Sequence, residues 1–136
     1  MAQSLIFAPM GALAFLTFGV LALIPIRRFR AGAAGQIVAD DFKFGESASV
    51  PGHVSIPNRN YMNLLELPML FYVGSLMFFV TGKVDTVTLA VAWSYVGLRT
   101  IHSAIHLTYN DVRQRLIPFA LSNLVLIAYW LLFFLR

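Results

Sequence analysis

The sequence predicts an all-α integral membrane protein, a four-transmembrane-helix bundle forming one domain over residues 1–136. Three observations lead there. Apolar residues fill 59% of the 136 positions and charged residues only 12%, about half the charged share of an ordinary soluble domain. A chain this short leaves much of its folded surface exposed, so a water-soluble core could not hide that much apolar material. The apolar residues are also gathered into four runs of roughly 20, the length an α-helix needs to cross the hydrocarbon core. Helices satisfy their own backbone groups there, whereas an open sheet does not.

The first run covers about residues 5–26. It lacks a basic leader and is too long for the apolar part of a signal peptide, so it is expected to remain as a helix. The second covers about 61–80 and contains Pro68. That proline removes the hydrogen bond to the carbonyl of Leu64 and predicts a bend next to Glu66. The third covers about 86–107, joined to the second by the tight turn TGKVD, so the two form an antiparallel hairpin. The fourth covers about 116–135 and follows the short connection TYNDVRQR. Residues 27–58 form the one long connection, rich in Gly, Ala and Ser and carrying both charge signs. Long loops in compact proteins are usually functional or disordered.

Basic residues are uneven along the chain. Arg27, Arg28, Arg30, Lys43 and Arg59 lie on the first connection, and Arg113 and Arg115 on the third. The other side has Lys83 and Arg136. The positive-inside rule places the first and third connections in the cytoplasm and both termini on the opposite side. The net charge of +4 is too small and scattered for a nucleic-acid partner. The chain has no cysteine, so it forms no disulfide framework and any thiol chemistry must come from a ligand.

Two polar stripes interrupt the apolar runs. Arg59, Asn63 and Glu66 share one helix face by their spacing. Arg99, His102, His106 and Tyr109 form a second stripe in the third run. A charge at bilayer depth costs at least ~2.5–3.5 kcal/mol, so such residues face a partner or a wet cavity. The two stripes are therefore expected to meet and line a polar pocket opening to the cytoplasm, with Arg99 paired to Glu66. A Glu–Arg pair also serves as structural glue between helices. Five or six polar groups converging at one end exceed what one such pair requires.

Other features carry less. His102 and His106 have the spacing of a metal-binding pair, but no third ligand stands nearby, and no metal is expected. Phe71, Tyr72, Phe78, Phe79, Trp93 and Tyr95 are read as packing or lipid contacts. The Arg27–Arg30 cluster is first a topology signal.

The segment Arg59-Asn60-Tyr61-Met62-Asn63-Leu64-Leu65-Glu66 resembles the R-x-x-x-N-x-x-E signature of the MAPEG family, the membrane-associated proteins in eicosanoid and glutathione metabolism. Arg99-Thr100-Ile101-His102 is similar to the R-x-x-H of the family's third helix. Arg115-Leu116-Ile117-Pro118 is similar to an R-L-x-P opening its fourth. The resemblance covers nearly the whole chain. It implies a homotrimer of four-helix bundles with glutathione bent into pockets between subunits. It also implies that Arg59, Asn63, Glu66, Arg99, His102, His106 and Arg113 belong to the glutathione-binding set. Arg115 matches the arginine that stabilises the thiolate, for attack on a lipophilic electrophile or reduction of a lipid hydroperoxide. The pattern departs at Met62 and Leu67, where family members often carry arginine and tyrosine, and at His106, which replaces a tyrosine.

Two other classes remain in view. One is a non-catalytic family member that binds a lipid or another protein in the same crevice. The other is a small proton-coupled transporter. Four-helix transporters of this size carry their glutamate in the first helix, and the first apolar run here has no charged residue.

Overall fold

A computed structural model describes residues 1–136, and the chain is helical with no strands. A 3-10 turn, Gln3–Ile6, leads into α1, Phe7–Ala33. A second short 3-10 turn, Ala39–Phe42, lies in the following connection. Then come α2, Gly52–Leu65; α3, Pro68–Val80; α4, Thr86–Leu107; and α5, Val112–Leu135. The helices α2 and α3 are two arms of one bent rod, so the bundle has four rods.

The expected bend falls where Pro68 dictates. Glu66 leaves helical geometry with ψ −100°, and Pro68 becomes the first residue of α3. Proline is suited to that position, because the N–H it lacks would have had no helical partner there.

Three of the four rods are long and apolar enough to cross a membrane: Gln3–Ala33, Gly52–Val80 and Val112–Leu135. The expectation of four apolar spans is corrected at α4. Its 22 residues reach about 33 Å, but it is not apolar enough to be counted with the others. The reason lies on its inner face, where Thr88, Arg99, His102, Ser103 and His106 are all buried against neighbouring helices.

The connection expected at 27–58 is shorter than its sequence suggests. The Arg27–Arg30 cluster continues α1, which closes only at Gly35. There φ is +73°, the Gly35 N–H reaches the carbonyl of Gly32, and the Gln36 N–H reaches that of Ala31 at 2.9 Å. Glycine ends a helix this way because it enters the left-handed region without a Cβ clash. Gly82 closes α3 by the same device, with φ +69°.

At the other end of the connection, α2 starts at Gly52 rather than near residue 61 and passes through Pro57. Proline cannot donate to the carbonyl four residues back, that of His53. Arg27 fills the vacancy, its Nη1 donating to the His53 carbonyl at 3.0 Å while its Nη2 donates to the carbonyl of Leu107 at 3.3 Å. One guanidinium thus ties α1, α2 and the end of α4.

The main core runs along the bundle axis. Leu13 and Val20 of α1, Phe71 and Phe78 of α3, Tyr95 and Val96 of α4, and Leu126 and Tyr129 of α5 pack together. Phe71 lies 4.9 Å from Tyr95, and Phe78 lies 4.9 Å from Tyr129, between ring centroids. Gly74 lets Tyr129 approach closely; a Cβ there would meet the ring at 3.3 Å. The Tyr129 hydroxyl is satisfied by Ser75 at 3.0 Å. Two aspartates start helices. Asp85 accepts from the Thr88 N–H and Asp111 from the Gln114 N–H, both at 2.8 Å, the usual N-cap arrangement.

Candidate functional site

The bend, the buried polar face of α4 and the first turns of α5 enclose a cavity of about 670 Å³. It opens at the end of the bundle where the α4–α5 turn and the start of α2 meet. From α2 come Arg59, Met62, Asn63 and Glu66; from α4 come His102 and His106; from α5 come Arg115, Leu116 and Phe119. Arg59, Asn63 and Glu66 of the first stripe therefore meet His102 and His106 of the second, and Arg115 joins them, while Tyr109 turns away to Gln114.

Each imidazole is held by its Nδ1. His102 donates from Nδ1 to the backbone carbonyl of Arg115 at 2.9 Å. A carbonyl only accepts, so in the neutral ring Nε2 carries the lone pair. That Nε2 is buried and has no hydrogen-bond partner in the protein. His106 accepts at Nδ1 from the amide of Asn60 at 3.2 Å, and Ser103 donates to the other end of the same amide at 3.0 Å. In the neutral ring His106 then carries its proton on Nε2. The ring centroids lie 5.7 Å apart. No three of His, Cys, Asp and Glu come together in a way that would hold a metal.

Asn60 and Ser103 went unnoticed in the sequence, yet both are completely buried. A signal was available. Val54, Pro57, Asn60 and Leu64, the buried residues of α2, repeat every three or four positions. Tracing that period back past Tyr61 exposes both the longer helix and the asparagine.

Arg115 reaches the cavity from the first turn of α5, where its Nη1 donates to the Asn110 side chain at 2.8 Å. Asn110 holds φ +50°, and its N–H returns to the carbonyl of Ile105 at 2.8 Å. Asparagine tolerates this left-handed geometry better than most residues. The α4–α5 turn thereby braces the guanidinium.

Arg99 corrects an expectation. It forms no ion pair with Glu66; the two ion pairs are Arg28–Glu46 and Asp85–Arg136. Arg99 is 1% exposed, and its Nη2 donates to the backbone carbonyl of Asn63 at 2.9 Å. The physical reason is the end of α2. Carbonyls in the last turn of a helix lack an intrahelical donor, and Asn63 stands there. Arg99 Nε and Nη1 have no partner in the protein. Arg99 lies beneath the cavity rather than on its wall, with its guanidinium 5.5 Å from the Phe119 ring. Glu66 is exposed on the cavity wall and unpaired. Arg113 is exposed and is not among the lining residues.

One turn beyond Phe119, an apolar groove of about 360 Å³ continues between α3 and α5. Leu67, Leu70, Leu126, Ile127 and Trp130 line it, with Asn123 as the one polar residue. The molecule thus sets a polar chamber with two guanidiniums, a carboxylate and two imidazoles beside an apolar groove. The first offers partners to charges of both signs, and the second almost only apolar contact.

No curated protein and no solved structure gave a significant match to the sequence. The model of the MAPEG family matches residues 6–135. With that match over nearly its whole length, the chain belongs to the MAPEG family.

Proposed function

We propose that this membrane protein binds glutathione in the chamber between α2, α4 and α5 and activates its thiol toward a lipophilic substrate arriving from the bilayer. The observation that carries the reading is the convergence of Arg59, Asn63, Glu66, His102 and Arg115 on one cavity. Carboxylates of the tripeptide suit the guanidinium of Arg59, and its ammonium suits Glu66. A free thiol has a pKa near ~8.5, so it is mostly protonated at neutral pH; a neighbouring cation favours the thiolate. Arg115 is the cation proposed to do this. The thiolate then attacks an electrophile or reduces a hydroperoxide held in the α3–α5 groove.

Two further parts rest on the family. A homotrimer would cover the exposed side of Glu66 and the open face of the chamber. The excess of Arg and Lys on the connections beside the chamber supports a cytoplasmic mouth.

Met62 favours a second reading. It lines the chamber where many family members place an arginine, so one cationic grip is missing. A non-catalytic member that binds in the same crevice accommodates that loss. A calorimetric titration with glutathione in mild detergent, followed by conjugation of a chloronitrobenzene, separates the two. Binding with turnover supports the enzyme. Binding without turnover removes the catalytic step, and no binding at millimolar glutathione overturns the glutathione reading and leaves the crevice to a lipid or another protein.

A further inference from the structure

The connection between α1 and α2 folds into a small lobe. Ala31, Ile37 and Val54 form its core, with Phe42 and Val50 packed against them. Arg28 pins the lobe to α1, with its Nη2 3.2 Å from Glu46 Oε1 and its guanidinium 4.3 Å from the Phe42 ring centre. The Asp41 carboxylate accepts from the Val38 N–H and from the hydroxyls of Ser47 and Ser49. These bonds, the backbone one foremost, hold Asp41 below the ordinary carboxylate range.

This pinned lobe nevertheless presents Phe44 at 94% exposure. The aromatic is turned outward beside Gly45, whose φ is +89°. On α1, one residue past Arg28, Phe29 is 78% exposed. Phe29 is no isolated exception. Phe15, Phe18 and Ile26 are also exposed, and Ile26 and Phe29 follow Phe15 by about three and four helical turns. All four therefore share one face of α1. The opposite face carries Leu13, Val20 and Ile24, buried in the bundle, and Ala31, buried in the lobe core. Phe29 thus continues the outward apolar face of a helix long and apolar enough to cross a membrane, and the lobe that carries Phe44 is pinned to that helix at Arg28, the residue before Phe29. Arg30 and Lys43 flank the two aromatics, are exposed and belong to neither ion pair.

We propose that the α1–α2 lobe is a lipid-binding element in which Phe29 and Phe44 enter the headgroup–acyl boundary while Arg30 and Lys43 hold lipid phosphates. Phenylalanine buried at the headgroup–acyl boundary, with Lys and Arg reaching outward, is a common interfacial arrangement. Asp40 and Asp41 offset the two free cations, so insertion is driven by the aromatic rings and does not require anionic lipid. The arrangement bears on the chamber, because Val54 joins the lobe core and its neighbours Gly52, Ser55 and Ile56 line the chamber. Seating the lobe in lipid fixes the position of that lip.

The chain has no cysteine, so a single introduced cysteine takes a spin label cleanly. We would label Phe44→Cys, Phe29→Cys and, as a lipid-embedded reference, Phe15→Cys, each reconstituted in phosphatidylcholine vesicles. Relaxation by oxygen reports lipid, and relaxation by a water-soluble nickel complex reports water. The proposal expects labels at positions 29 and 44 to have an oxygen-to-nickel ratio below that of the deep Phe15→Cys reference and well above that of a freely water-exposed label, unchanged by adding anionic lipid. A label at position 44 open to nickel overturns it. A label protected from both reagents also overturns it, because a second copy of the chain then covers the ring. All three positions are exposed, so the substitutions leave the core intact, and none of these outcomes depends on whether glutathione binds.

Discussion

His102 Nδ1 donates to the main-chain carbonyl of Arg115 across 2.9 Å, so the position of one chamber residue is tied to the backbone of another. The bond fixes the His102 tautomer and leaves Nε2 buried without a partner in the protein. A buried acceptor left unpaired is costly, and a ligand N–H or S–H that reaches it removes the cost. We therefore expect His102→Phe to weaken glutathione binding by about 1–2 kcal/mol, roughly five- to thirtyfold in Kd. His102→Gln keeps a donor for the Arg115 carbonyl but places it differently, and should fall between the two. Calorimetry on the three proteins checks the order. Equal affinity in all three would show that Nε2 does not meet the ligand.

Asn60 stabilises the other imidazole. Its amide is completely buried and bridges Ser103 and His106. Replacing it by Leu removes both bonds and leaves two buried polar groups unsatisfied, at about 1–3 kcal/mol each. The protein should lose several degrees in Tm, and His106 should lose its fixed orientation. Ser103→Ala removes one of the bonds and should cost less. If Asn60→Leu melts with the parent protein in detergent, the network contributes nothing to stability.

Arg99 was expected to depend on Glu66, and a broken buried pair would have cost ~3–5 kcal/mol. The observed contacts lead elsewhere. Arg99 makes one hydrogen bond to the Asn63 carbonyl and leaves two donor nitrogens unpaired. Its charge gains little inside the protein, while its stem fills space under Phe119. Arg99→Met, which keeps most of that volume, should therefore melt higher than Arg99→Ala, by an amount equivalent to about 2 kcal/mol. Should the two variants melt together, well below the parent, the charge itself is required, and a carboxylate from a ligand or a second subunit becomes its partner.

Asp85 gives a pH dependence at the other end of the bundle. Its carboxylate caps α4 through the Thr88 N–H and hydroxyl and also meets Arg136. Those contacts, the backbone bond first, hold its pKa below the ordinary 3.8. A depressed folded-state value means the capping contribution is present above the unfolded pKa and is lost as pH falls through the lower folded value. Tm should hold above pH 4 and fall more steeply below it in the parent than in Asp85→Asn. Parallel acid limbs in the two melting series would remove Asp85 from the account.

Much of this was legible from residue pattern. The bend came from Pro68, and the meeting of the two stripes came from the spacing of Arg59, Asn63 and Glu66 and of His102 and His106. What was hidden depended on contacts between distant segments. Apolar content ends at Ile26, but a helix does not stop where its charges begin; α1 continues until Gly35 allows the left-handed closure. Pro57 leaves the His53 carbonyl without its helical donor, and Arg27, far away in sequence, supplies one. The choice of Arg99 between a carboxylate and a carbonyl followed from where α2 ends, which no charge pattern encodes.

Arg115 offers the sharpest chemical test. It joins the chamber from the first turn of α5, half-buried, and its guanidinium makes one side-chain hydrogen bond, to Asn110. Little of the fold depends on that bond. Arg115→Ala should keep the parent Tm within about 1 kcal/mol equivalent, because one hydrogen bond of a partly exposed group is worth no more than that. The backbone carbonyl that His102 uses is untouched by the substitution, so the imidazole keeps its anchor. The lost quantity is the positive charge beside the bound thiol. Without it the thiol pKa rises, and at neutral pH the thiolate absorbance of the glutathione complex should disappear while the peptide still binds through Arg59 and Glu66. Arg115→Lys keeps a cation on a shorter, more mobile stem and should retain part of the signal. Ultraviolet difference spectra across a pH series, read beside calorimetric Kd values, separate loss of binding from loss of ionisation. If Arg115→Ala binds glutathione and shows the full thiolate band at neutral pH, Arg115 is not the activating residue.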